Sequence, residues 1–220
     1  MLRSVHRWKR FLFRHPIEVW PIVAIVLSLF KGSALALEYQ KHPGNTSQNL
    51  NAILATGDIL DGDTERLKKF VSSLPKRKNA AIYLASPGGS LAEGIKLGMF
   101  LRRYHMKSVV EGNNVCASAC ALAFLGGTDN GGHAWRSSSS TSKLGFHAFH
   151  FSKSDSANTD DTQKIVAEVL RYGKAIDAPI DLLIAGFETA STEIYWVSDS
   201  EICSLGIKLW SVEESKFLCN

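Results

Sequence analysis

Strand-like and helix-like periodicities alternate without a break from about residue 52 to residue 126, and no other feature constrains the fold as tightly. "AILATGDIL" (52–60) reads as a short strand with a glycine break. "DGDTERLKKFVSSLP" (61–75) has an acidic start, apolar residues at Leu67, Phe70, Val71 and Leu74, and a proline stop, which is the pattern of an amphipathic helix. "AAIYLAS" (80–86) is a buried strand, "PGGS" (87–90) turns it, and "LAEGIKLGMFLRRY" (91–104) is the next helix. A further strand, "KSVVEGN" (107–113), leads into "NVCASACALAFLGG" (114–127). Strands separated by helix-length segments predict βαβ units, and so an α/β fold with a mostly parallel sheet.

The remaining segments are placed around that core. "TDNGGHAWRSSSSTSK" (128–143) is rich in glycine and serine and predicts an exposed loop. "LGFHAFHF" (144–151) reads as a strand, and "DDTQKIVAEVLRYGKAI" (160–176) as an amphipathic helix that "IDLLIAGF" (180–187) extends. "EIYWVSDSEICSLGIKLW" (193–210) predicts a strand or turn, a short helix and a final strand. On the other side, "EYQKHPGNTSQNLN" (38–51) is polar and turn-rich, so residues 37–51 read as a linker or arm before a domain over 52–220.

Residues 1–36 differ from everything after them. Arg3, Arg7, Lys9, Arg10 and Arg14 precede the apolar run "VWPIVAIVLSLF" (19–30), and "KGSALA" (31–36) offers Ala34 and Ala36 as a small-x-small exit. Basic region, short apolar region and small-residue exit describe a secretory signal peptide cleaved after Ala36. Lys31, so near the exit, keeps open an uncleaved signal anchor that would tether the chain to the membrane. Either way the domain is exported: periplasmic, secreted, or anchored to the inner membrane facing the periplasm.

The same segment carries the positive charge. Of 25 basic and 21 acidic residues, six and one fall within 1–36, which leaves the domain with 19 and 20. A near-neutral domain gives no electrostatic ground for nucleic-acid binding. No zinc-type cysteine pairs and no phosphate-binding loop occur, so neither metal nor cofactor is expected. Cys116, Cys120, Cys203 and Cys219 all lie in the exported part, where an even count permits two disulfides. Four cysteines allow three pairings; nearness in sequence favours Cys116–Cys120 with Cys203–Cys219, against the alternative of buried free thiols.

Three segments offer chemistry. A strand that ends in Pro87-Gly88-Gly89 leaves main-chain N–H groups facing outward, and without a Cβ another carbonyl can approach them. The bland reading is a tight turn. About 30 residues on, Ser118 sits where a parallel sheet opens at the same edge, with the Ala119 N–H as a second donor at a helix start. Its bland reading is a helix cap. Of the histidines, His147 and His150 sit in an apolar strand, while His42, His105 and His133 sit in polar or helix-end positions. A strand histidine is usually a satisfied core residue, but a serine nucleophile needs a base within reach.

Taken in order, "IYLASPGGSLAEGIKLGMFLRRY", "VVEGNNVCASACALAFLGG" and "LGFHAFH" resemble the Clp protease proteolytic-subunit family of the ClpP/crotonase superfamily, over roughly residues 52–210. The resemblance implies a spiral of ββα units and a serine hydrolase site. It puts Ser118 in the nucleophile position, His147 in the base position, and Gly88, Gly89 and Ala119 around the oxyanion. The third member is less defined, because the family's acid position falls near Ala190; Glu193 is the choice, with Glu188 and Asp181 as alternatives. Lys143, four residues before His147, is a minority alternative base, since signal-peptide peptidases of the superfamily use a serine–lysine pair. Cys116 and Cys120 bracket Ser118, and a disulfide between them would pin the serine turn.

The reading that follows is an exported, ATP-independent serine peptidase acting on peptides or unfolded proteins, self-associating as its relatives do. A non-catalytic module that binds a peptide or partner is the alternative. A crotonase-type acyl-CoA enzyme ranks third, because CoA is scarce outside the cytoplasm and that chemistry needs neither Ser118 nor His147.

Overall fold

The structure is a computed structural model that describes residues 36–45, 47, 49–149 and 159–219, all within the unit Ala34–Asn220. The expected signal segment up to residue 35, and His150, lie outside the described residues. The main sheet begins with β1 (Glu38–Lys41) and β2 (Leu50–Thr56), followed by α1 (Asp63–Ser73), β3 (Asn79–Ala85), α2 (Leu91–Arg103) and β4 (Met106–Val110). Next come β5 (Val115–Ala117), α3 (Ala119–Leu125), β6 (Arg136–Ser139) and β7 (Lys143–Phe146). The chain ends with α4 (Thr159–Ala175), α5 (Ile180–Glu188), β8 (Tyr195–Trp196), α6 (Asp199–Ser204), β9 (Lys208–Ser211) and β10 (Lys216–Cys219).

A seven-stranded sheet runs β1-β2-β3-β4-β6-β9-β10, parallel from β2 to β9 and antiparallel at each end. A smaller sheet, β5-β7-β8, joins β5 parallel to β7 and β7 antiparallel to β8. The mixed α/β architecture with a mostly parallel sheet is the one the alternation predicts. The inward residues of the central strands, among them Ile53, Ile82, Leu84 and Val110, are buried with Leu97, Leu101 and Phe124 of the helices.

Two segments differ from expectation. The arm contributes β1, paired antiparallel with β2 from Glu38↔Thr56 to Lys41↔Ile53. It is polar because an edge strand needs only one apolar contact; Tyr39 turns toward Phe70 and donates its hydroxyl to the Asp63 carbonyl at 3.2 Å. The serine-rich stretch is not an exposed loop throughout: Arg136–Ser139 is a strand, each residue at most 3% exposed. Arg136 makes this possible by donating to the carbonyls of Leu125 (2.7 Å), Ile176 (2.8 Å) and Asp177 (3.1 Å). Those are the carbonyl ends of α3 and of the turn closing α4, which a cation satisfies. Burial pushes the guanidinium down to about 10, so it stays charged.

The placement of α3 is what brings the site together. All seven of its residues are buried, and glycines let it lie close against α2. A Cβ on Gly126 would stand 2.1 Å from the Gly98 carbonyl oxygen, and one on Gly94 2.5 Å from that of Ala119. The Tyr172 hydroxyl of α4 reaches in beside Gly98 of α2 and donates to the Leu122 carbonyl at 2.6 Å, tying α4 to α3.

Candidate active site

Ser118 joins β5 to α3 with φ 58° and ψ −126°, a conformation that residues with a Cβ rarely adopt. Such a residue costs on the order of 1–3 kcal/mol and persists only where its surroundings fix it. Here they do. The Ser118 N–H donates to the Gly145 carbonyl of β7 at 3.0 Å, and the Ala117 N–H to that of Ser86 at 3.1 Å. Cys116 and Cys120, with Cα atoms 5.2 Å apart, are joined by a disulfide across the turn. Ser118 occupies a helix-cap position, yet its side chain makes no capping bond, so the hydroxyl is not used up by the helix.

The SPGG turn lies directly against it. A Cβ on Gly88 would come within 2.7 Å of both the Ala117 carbonyl oxygen and Ser118 Cβ, and Gly88 has φ 108°. The Gly88 N–H donates to Ser86 Oγ at 3.1 Å, which takes that donor away from a ligand. The N–H groups of Gly89 and Ala119 have no acceptor among the described residues. Both residues line a cavity of about 250 Å³ that also receives Ser118 and His147. Five of the sequence-predicted residues are thus brought together: Ser118, His147, Gly89 and Ala119 in the cavity wall, and Gly88 behind Ser118.

His147 is the first residue after β7. Its Nδ1 is 2.7 Å from the Ala148 carbonyl oxygen, and the ring is half-buried. Ser118 and His147 share the cavity without a direct hydrogen bond. The rest of the wall is apolar and comes from Leu91, Leu122, Phe146, Val169, Leu182 and Phe187, among others. Sequence reasoning did not assign these residues to a site; the apolar rows of the predicted helices were the available signal, and they also serve the core.

The expected carboxylate is elsewhere. Glu193 is exposed in the turn before β8, its N–H donating to the Ala190 carbonyl at 2.9 Å. Glu188 and Asp181 are exposed on α5, and none of the three lines the cavity. Lys143 is also exposed, with its ammonium 5.6 Å from the Trp196 ring centroid. His42 pairs with Glu111 and packs on Tyr83, while His105 and His133 both lie against Asp129, all remote from this cavity. The other cysteines form the second bridge, Cys203–Cys219, with Cα atoms 5.7 Å apart. Two disulfides are consistent with an oxidising, extracytoplasmic compartment. Among the described residues no helix is long and apolar enough to cross a membrane.

The chain matches the crystal structure of the ClpP protease catalytic domain from Plasmodium falciparum with a TM-score of 0.50 and 16% identity, over 72% of this chain and 82% of that one. The fold is ClpP-like. No family model matches the sequence, and no curated protein does. The likeness therefore resides in the arrangement of elements.

Proposed function

We propose that this chain is an exported, ATP-independent serine hydrolase, a peptidase acting on peptides or unfolded proteins. The observation that carries the reading is Ser118: a hydroxyl not spent on capping, on a strained turn, in one cavity with His147 and two N–H groups without acceptors. Ser118 Oγ attacks the substrate carbonyl while His147 takes its proton. The Gly89 and Ala119 amides receive the oxyanion, and Gly88 lets the two turns approach. His147 then returns the proton to the leaving amine, and water hydrolyses the acyl-enzyme by the same route. The apolar wall suits a bulky side chain of an extended or unfolded substrate, and a site of this composition needs no cofactor.

Export is supported by the two disulfides and by the leader-like residues 1–36, with a membrane tether if that segment stays attached. Self-association is supported by the ClpP-like fold and by exposed Ile180, Ile184 and Trp196. The second reading, a non-catalytic binding module, is favoured by the missing Ser118–His147 hydrogen bond. In an unliganded site such bonds are often long and tighten only with substrate.

A fluorophosphonate probe on folded, oxidised protein separates the two. The hydrolase reading expects labelling that Ser118→Ala abolishes and His147→Ala slows by roughly 10²–10⁴-fold. Wild type left unlabelled while its thermal unfolding stays cooperative supports the binding module instead.

A further inference from the structure

The ring assigned above as the base is oriented by main chain. A carbonyl oxygen can only accept, so the 2.7 Å contact between His147 Nδ1 and the Ala148 carbonyl places the proton on Nδ1. Nε2 is then left with its lone pair, the tautomer a general base requires. The single Nδ1–H makes this one strong bond and has none left for a carboxylate.

Ala148 is itself held. Its N–H donates to the Thr189 carbonyl at 2.9 Å, immediately past the end of α5. Thr189 is anchored twice to Ala185, through its N–H at 3.1 Å and its hydroxyl at 2.7 Å. A rigid path thus runs from α5 through Thr189 and Ala148 to the imidazole. Glu193, Glu188 and Asp181 are exposed and stand outside the cavity.

We infer that the Ser118–His147 pair works with the Ala148 main-chain carbonyl as its positioning group, in the role a carboxylate plays in a serine–histidine–acid triad. The inference rests on the hydrolase reading. Ser118 gives its proton to His147 Nε2 and the leaving group receives it back, while the Ala148 carbonyl keeps its bond to Nδ1–H throughout and takes no proton. A neutral acceptor fixes the tautomer and ring angle but places no negative charge beside the imidazolium. The orienting group is therefore insensitive to substitution of any of the three acids.

The experiment uses the full exported chain, oxidised, with the fluorophosphonate labelling rate and ¹⁵N spectra of His147 as paired readouts. Glu193→Gln, Glu188→Gln and Asp181→Asn are each expected to label at the wild-type rate and to keep the Nδ1–H tautomer. Phenyllactate in place of Phe149 turns the 148–149 amide into an ester, weakening the Ala148 carbonyl as an acceptor. Labelling should then slow roughly five- to tenfold, the effect of one weakened hydrogen bond, and the Nδ1–H signal should move. A loss of about 100-fold or more in one acid variant that stays folded, or an unmoved tautomer signal in the ester variant, overturns the inference and leaves the hydrolase reading standing. A wild type that never labels overturns both.

Discussion

The two disulfides do different work. Cys116–Cys120 closes a loop of sequence separation 4 around Ser118, and both half-cystines are fully buried. Cys203–Cys219 has separation 16, ties the end of α6 to β10, and is half-buried. In the chain-entropy account the short loop contributes about 2 kcal/mol and the long one about 3 kcal/mol. The bond that stabilises less is the one that closes around the Ser118 turn. Stability and preorganisation are therefore placed in separate parts of the chain, and each can be disturbed without the other.

The largest effect is expected from a side chain placed against the Ser118 turn. Gly88→Ala forces a Cβ onto the Ala117 carbonyl and Ser118 Cβ, and on the hydrolase reading moving Ser118 by that much is expected to cost more than roughly 100-fold in labelling rate. Circular dichroism should show the sheet intact. Replacing Cys116 and Cys120 together with alanine releases the turn toward ordinary backbone angles. Labelling should fall roughly 10- to 100-fold, the equivalent of losing most of the strain held at Ser118. Labelling unchanged in that double variant would remove the distinction between the two bridges.

Replacing Cys203 and Cys219 with serine should do the reverse, lowering unfolding stability by about 3 kcal/mol in denaturant titration while labelling stays at the wild-type rate. Graded reductant followed by alkylation and peptide mapping should open this half-buried bridge first, with fluorophosphonate labelling unchanged until the buried pair reacts. The smallest effect concerns α6, which carries Cys203. Hydrogen bonds from Ser198 and Tyr195 hold the Glu201 carboxyl below its ordinary range, so its contribution to the fold is full above that range. It is lost as pH falls below about 4.3, the unfolded glutamate value. Glu201→Gln should flatten that acid limb in a pH series of thermal melts.

Much of the architecture could be read from the chain, because the parallel core is written in period: the strands at 50–56, 79–85 and 106–110 and their helices appear where apolar spacing puts them. The SPGG turn, Ser118 and His147 converge for the same reason, since successive parallel strands end at one edge. Residues 136–139 were hidden because the strand's inward partner is an arginine, whose burial is made tolerable by the carbonyls of Leu125, Ile176 and Asp177. Residues 38–41 were hidden because an edge strand has a wet face and short polar residues serve it. The group that holds the His147 ring has no signature at all, since every residue has a carbonyl. Glu193 stands two residues before Tyr195, which pairs with Phe146, so its backbone is brought toward the histidine strand while its side chain stays exposed.

Burial around Leu37 bears on how the expected leader could be removed. Leu37 is 3% exposed, and the half-buried Ala36 bridges in parallel to Asp58, so the peptide bond joining Ala36 to Leu37 is partly covered in the folded chain. Were the expected leader removed after Ala36, the cut would have to come before the edge strand closes, and cleavage would compete with the folding of this end of the sheet.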